Sequence, residues 1–174
     1  MLLAHKEYGR RVLARPLGLL LAAAVDLAIG LVTADPARPH QGTAAVLLVP
    51  VPTSRAARRR RGDDPLHRVT VAAAAALRRR GVPVRIVPAL WVHGRPADQV
   101  GLTRAERAAN MTGRFRVRRW APELLTAASG RPQPLVLVLD DVLTTGATAR
   151  EAVRALAGRG IGVDAVATIA RARD

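Results

Sequence analysis

Residues 135–148 read LVLVLDDVLTTGAT. Five aliphatic residues lead into two adjacent carboxylates, Asp140 and Asp141, followed by small residues and then a helical pattern. A short apolar run bounded in this way predicts a buried strand over Leu135–Leu139. Such a strand carries the acidic pair to the edge of a sheet. There the carboxylates can accept hydrogen bonds from a sugar diol, directly or through a divalent cation. Thr144, Thr145, Gly146, Ala147 and Thr148 can wrap a phosphate with backbone N–H groups, at a helix start where the dipole favours an anion. Diol and phosphate together suggest a ribose 5-phosphate. Two plainer readings compete. A Walker-B-like strand also ends in acids, but it needs a G-x-x-x-x-G-K-[ST] partner loop, and the chain has no lysine beyond Lys6. The acids could also simply cap the next helix.

Outward from this stretch, strands alternate with helices. An apolar N-terminal segment predicts a helix over about Leu2–Ile29, kinked near Pro16, with Leu13, Leu17, Leu20, Leu21, Ala24 and Leu27 facing inward. Ala45–Val49 reads as a buried strand ending at Pro50-Val51-Pro52, and an arginine-heavy loop runs to Asp64. Pro65 suits the first turn of a helix. Leu66, Val69, Ala73, Ala76 and Leu77 form its stripe, and Arg78–Arg80 with Gly81 form its end. Val84–Val87 is a strand, Thr103–Asn110 a short helix and Arg114–Val117 a short strand. Thr148–Ala157 is a helix with Ala149, Ala152, Val153 and Leu156 inward, and Val163–Ile169 a last strand. This alternation predicts an α/β fold with a parallel sheet flanked by helices. Ligands of such sheets gather at the carboxyl ends of strands, so the loop after Val49 should lie beside the loop after Leu139.

The 174 residues suit one domain, with 1–42 as N-terminal helix and connector and 43–174 as core. Aromatics make up 2% of a chain that is 49% hydrophobic, so aliphatic residues must fill the interior. Without cysteine there are no disulfides and no cysteine-ligated zinc, and His5, His40, His67 and His93 show no ligand spacing. The net charge of +15 attracts phosphate, nucleic acid or anionic lipid. Nearly all of this charge is arginine in an alanine-rich chain, a signature that a GC-rich genome would also leave. Scarce aromatics also leave few platforms for single-stranded bases. The basic start followed by LGLLLAAAVDLAIGLV imitates a signal peptide, but Asp26 interrupts it and no clear cleavage site follows. It is also short for a membrane span. The expectation is a packed helix, no membrane span and a cytoplasmic protein.

The strand-acid-turn stretch resembles the phosphoribosyl pyrophosphate (PRPP) signature of type I phosphoribosyltransferases. More of the chain resembles the ComF family of competence-related proteins, which contain such a domain. HKEYGRRVLARPLGLLLA at 5–22 is similar to the family's N-terminal helix. LLVPVPTSRAARRRRG at 47–62 is similar to its Pro-Val-Pro segment with basic residues and an Arg-Gly pair. GRPADQVGLTRAERAANMTGRFRV at 94–117 is similar to its patterned loop. The chain departs from the family in lacking an N-terminal zinc ribbon, and Asp63-Asp64 stands where Phe-Asn is common.

The resemblance implies a type I phosphoribosyltransferase-like sheet with a loop over the site. Asp140 and Asp141 would hold the ribose hydroxyls, and Thr144–Thr148 the 5-phosphate. Pro52, Thr53 and Ser54 would line the pyrophosphate side. Arg55, Arg95, Gln99, Arg104 and Arg107 are candidate loop contacts, each with a solvated-surface alternative. Mg2+ would arrive with PRPP, touching the protein at most through Asp140 and Asp141. The implied reaction moves ribose 5-phosphate to a nitrogen acceptor with release of pyrophosphate. The alternative is a PRPP-binding or DNA-uptake accessory protein without catalysis that binds single-stranded DNA. A homodimer is compatible with either.

Overall fold

The computed structural model describes residues 11–36, 45–53, 64–94, 112–122 and 133–172. In chain order, a 3-10 turn (Arg11–Leu13) leads into α1 (Ala14–Thr33), followed by β1 (Val46–Pro50) and α2 (Pro65–Arg79). The short strands β2 (Val84–Ile86), β3 (Leu90–Val92) and β4 (Phe115–Val117) come next. β5 (Leu135–Leu143), α3 (Ala147–Ala157) and β6 (Ala165–Arg171) complete the order.

Four strands form one parallel sheet in the order β2-β1-β5-β6, and β3 and β4 pair antiparallel beside it. The pleat sorts the apolar residues into two cores. Val46, Leu48, Leu135, Leu137 and Leu139 pack with α1 and α2. Leu47, Val49, Val136 and Val138 pack with α3 and the β3–β4 pair. Strands buried on both faces explain the unbroken aliphatic runs in β1 and β5. The predicted α/β fold, a parallel sheet flanked by helices, is the observed one.

Several boundaries move. Among the described residues α1 begins at Ala14, which puts Pro16 in its first turn, where the missing N–H costs no helical hydrogen bond; the expected helix before residue 11 lies outside the described residues. The inward face of α1 is Leu17, Gly18, Leu21, Ala22, Val25 and Ala28, whereas Leu20 and Leu27 are exposed. Periodicity could not choose a face on a helix apolar nearly all round. Close approach chose it: a Cβ on Gly18 would lie 2.5 Å from the Ala72 Cβ of α2. α1 is long and apolar enough to cross a membrane by length and composition, and here it packs on α2 and β6.

The arginines closing α2 act locally. The Arg78 guanidinium donates to the Val84 carbonyl at 2.9 and 3.1 Å, and Arg80 pairs with Asp26 of α1. The partners of Arg78 and Arg80 are thus the β2 backbone and α1, not the last carbonyls of α2 that the expected helix-end role invokes. β3 has no counterpart in the sequence-based expectation. β4 is the short strand expected at 114–117, trimmed to three residues. The short helix expected at 103–110 lies outside the described residues.

Candidate functional site

β5 does not stop at Leu139. It continues through both acids to Leu143, because β6 keeps pairing with it: Asp140 lies opposite Thr168 and Val142 opposite Ala170. The predicted loop carrying the acids is thus a strand end. Neighbouring residues on a strand face opposite ways. Asp140 accordingly shares the side of Val136 and Val138, where α3 and the β3–β4 pair sit. Asp141 takes the side of α1 and α2. Asp140 is 7% exposed, and its Oδ1 accepts the Asp141 backbone N–H at 2.8 Å; Asp141 is half-buried. The doublet is therefore asymmetric.

A three-residue turn follows. Gly146 has φ 73°, a left-handed conformation that glycine adopts without steric cost. It is the N-cap of α3, and no side chain caps the helix there. The Thr145 hydroxyl accepts the Ala147 N–H at 3.2 Å, closing the turn on itself. With the Ala147 N–H taken by Thr145, the next N–H groups of the helix start remain to face an anion at the positive end of the dipole. Thr144 is exposed, while Thr145, Gly146, Ala147 and Thr148 are half-buried.

The loop after β1 lies where expected. Pro50 pairs with Leu139, and the Val51 N–H donates to the Leu139 carbonyl at 2.9 Å, one residue before the acids. Pro52 and Thr53 extend from there. The Thr53 hydroxyl donates to Asp64 Oδ1 at 3.1 Å, and the same oxygen accepts the His67 backbone N–H at 3.2 Å. Asp64 is the N-cap of α2. Its charge sits at a helix start, where the dipole stabilises it. Ser54, Arg55, Arg95, Gln99, Arg104 and Arg107 lie outside the described residues.

Beside this loop opens a cleft of about 260 Å³, bounded by residues 50–53, the start of α2, strand β3 and Arg118. The acids and the 144–148 turn are not among its walls. Nothing in the sequence reading joined Trp91 and Arg118 to the loop after β1, since the three come from separate segments.

Glu151 was also missed. It is 4% exposed on α3 and accepts the Phe115 N–H of β4 at 2.9 Å. It also takes a two-pronged ion pair from Arg154 at 2.6 and 2.8 Å. Burial pushes its carboxyl up. The hydrogen bonds from Arg154 and from the Phe115 and Gly113 backbone outweigh that and hold it below its ordinary value. Glu151 occupies the buried face in place of the expected Val153, which is half-buried. The signal available in sequence was its position four residues before Ala155, inside the apolar stripe.

Among the described residues, no group of three His, Asp or Glu side chains gathers to hold a metal ion. One carboxylate of the doublet is a hard oxygen donor of the kind Mg2+ uses together with substrate phosphates. The residues present therefore fit a magnesium ion shared with a ligand, contacting Asp140 or Asp141.

No protein-family model and no curated protein matches the chain. Among solved structures it is similar to a glutamic acid mutant from a study of an invariant aspartic acid in HPRTs. That similarity has 14% identity and a TM-score of 0.46, over 92% of this chain and 79% of the other. It is similar to the corresponding asparagine mutant at 14% identity and TM-score 0.42, over 90% and 77%. It is also similar to the hypoxanthine phosphoribosyl transferase of Trypanosoma cruzi at 14% identity and TM-score 0.43, over 90% and 76%.

Proposed function

We propose that the chain binds PRPP and, as a ComF-type phosphoribosyltransferase, moves its ribose 5-phosphate to a nitrogen acceptor. One observation carries this reading. A strand ending in acids, a left-handed glycine turn and an uncapped helix start follow one another, with the loop after β1 hydrogen-bonded alongside. Amides at the start of α3 would hold the 5-phosphate. Asp140 and Asp141 would take ribose hydroxyls. Asp140 lies on the α3 side of the sheet, so it is the acid that shares a face with the helix following the phosphate turn. Pro52 and Thr53 would flank the departing pyrophosphate.

In the transfer, the acceptor nitrogen's lone pair forms the bond to ribose C1. The C1–O bond breaks with its electron pair leaving on pyrophosphate, and the nitrogen's proton passes to solvent. The chain's part is to fix both ends of the sugar so that C1 meets the nitrogen in line. Magnesium carried with PRPP would be met by Asp140 or Asp141 and would neutralise the leaving charge.

A second reading, PRPP binding without transfer, is favoured by one contact. The Thr53–Asp64 hydrogen bond engages the hydroxyl of the loop and sets a carboxylate where pyrophosphate would leave. Such a chain would be a sensor or an accessory protein. Single-stranded DNA binding remains compatible with the charge excess, although Arg78, Arg80 and Arg154 are committed to internal partners.

Titrating PRPP with Mg2+ by calorimetry, then assaying pyrophosphate release over a panel of nitrogen acceptors, separates the readings. Binding with release against one acceptor supports the enzyme. Binding without any release supports the sensor. No binding removes both.

A further inference from the structure

The cleft beside the loop after β1 has a chemistry of its own. Trp91 of β3 forms part of its wall and is half-buried, held by an edge-to-face contact with His93 at 5.4 Å between ring centres. Arg118, just past β4, stands at its rim, where its Nε donates to the Pro88 carbonyl at 3.1 Å. That bond ties down the Nε edge of an otherwise exposed side chain. Its two terminal nitrogens have no other partner among the described residues. Asp64, the opposite charge in the cleft, is committed to the Thr53 hydroxyl and the first turn of α2. Arg118 is therefore the charged group left to meet a ligand.

A planar fork of N–H donors matches a carboxylate, and an indole wall accepts a flat ring. A space of about 260 Å³ holds a single ring with its carboxylate. We infer that this cleft binds a single-ring aromatic carboxylate, and that this class of molecule, carrying a nitrogen, is the acceptor. The acceptor role rests on the phosphoribosyl reading above. The cleft's preference for aromatic acids does not.

The cleft shares residues 50–53 with the proposed pyrophosphate side, and it lies on the sheet face toward which Asp140 points.

Trp91 and Trp120 are the only tryptophans, so a Trp120→Phe chain makes Trp91 the sole indole reporter. Benzoate and benzamide, which differ in charge and little in shape, are titrated against its fluorescence. Benzoate should bind at least about tenfold tighter, as expected when a charged hydrogen-bonding pair is lost. Arg118→Gln should erase that difference. Equal affinity for the two probes, or an unchanged preference in Arg118→Gln, would overturn the assignment. The acceptor role is read separately, by PRPP-dependent pyrophosphate release with aminobenzoates and aminobenzamides. Release with an aminobenzoate that falls in Arg118→Gln, while PRPP affinity by calorimetry holds, supports it. PRPP binding with no aminobenzoate turnover overturns the acceptor role alone, and absence of PRPP binding overturns the phosphoribosyl reading itself.

Discussion

Two loops leave the carboxyl end of the same sheet, and they are built on opposite plans. The turn after β5 is backbone: a left-handed glycine, a threonine closing on its own turn, and a helix start without a side-chain cap. The loop after β1 is side chain: Thr53 tied to Asp64, with Trp91 and Arg118 brought in from elsewhere. A backbone cradle suits a phosphate, whose oxygens take amides in many directions. A side-chain cleft suits a ligand that must be told apart from others. The contrast teaches that fixed and variable parts of one substrate pair can be assigned to different kinds of structure.

Glu151 joins the two plans, because α3 starts at the turn and β4 pairs with β3, which helps to wall the cleft. Breaking it gives the largest effect. Glu151→Ala leaves the buried Phe115 N–H without its acceptor and should lower unfolding stability by about 2–3 kcal/mol. Chemical denaturation reads this directly. The carboxyl sits below its unfolded value, so its contribution is present above the ordinary carboxylate range and is lost as pH falls through the folded value. Stability should drop in acid, and Glu151→Gln should flatten that limb.

Gly146→Val attacks the turn alone. A Cβ at φ 73° is strained and would meet the Arg150 guanidinium at 3.1 Å, which should cost about 1–3 kcal/mol in ordering the cradle. Ribose 5-phosphate affinity should fall about tenfold or more while benzoate binding in the cleft holds. Equal losses at both would erase the distinction between the loops.

Asp64→Asn gives the smallest effect and sharpens the other side. Asparagine caps a helix as well as aspartate does, so stability should move by less than about 0.5 kcal/mol. Removing the charge should tighten PRPP binding several-fold, measured at fixed ionic strength. Unchanged affinity would mean that Asp64 does not face the pyrophosphate.

The same contrast explains what could be read from sequence. The 135–157 run is legible because its devices are residue types in order: aliphatic, acid, glycine, helix former. β1, α2 and their parallel sheet follow from similar runs. The extension of β5 through Asp140 and Asp141 is not legible, since aspartate disfavours strands and only the β6 register carries it. β3, a three-residue strand that begins two residues after Pro88, is too short for a period. The inward face of α1 depends on Gly18 meeting Ala72, a tertiary fact. The cleft depends on segments scattered from 50 to 118, so no local pattern announces it.

The central claim is that the acidic end of β5 and the turn behind it hold the two ends of one phosphorylated pentose. Calorimetric titration of PRPP with Mg2+ into the Asp140→Asn, Asp141→Asn double variant tests it most directly, with circular dichroism recording the fold. The account predicts a native-like spectrum and no measurable binding. A folded variant that binds as tightly as the parent would contradict it.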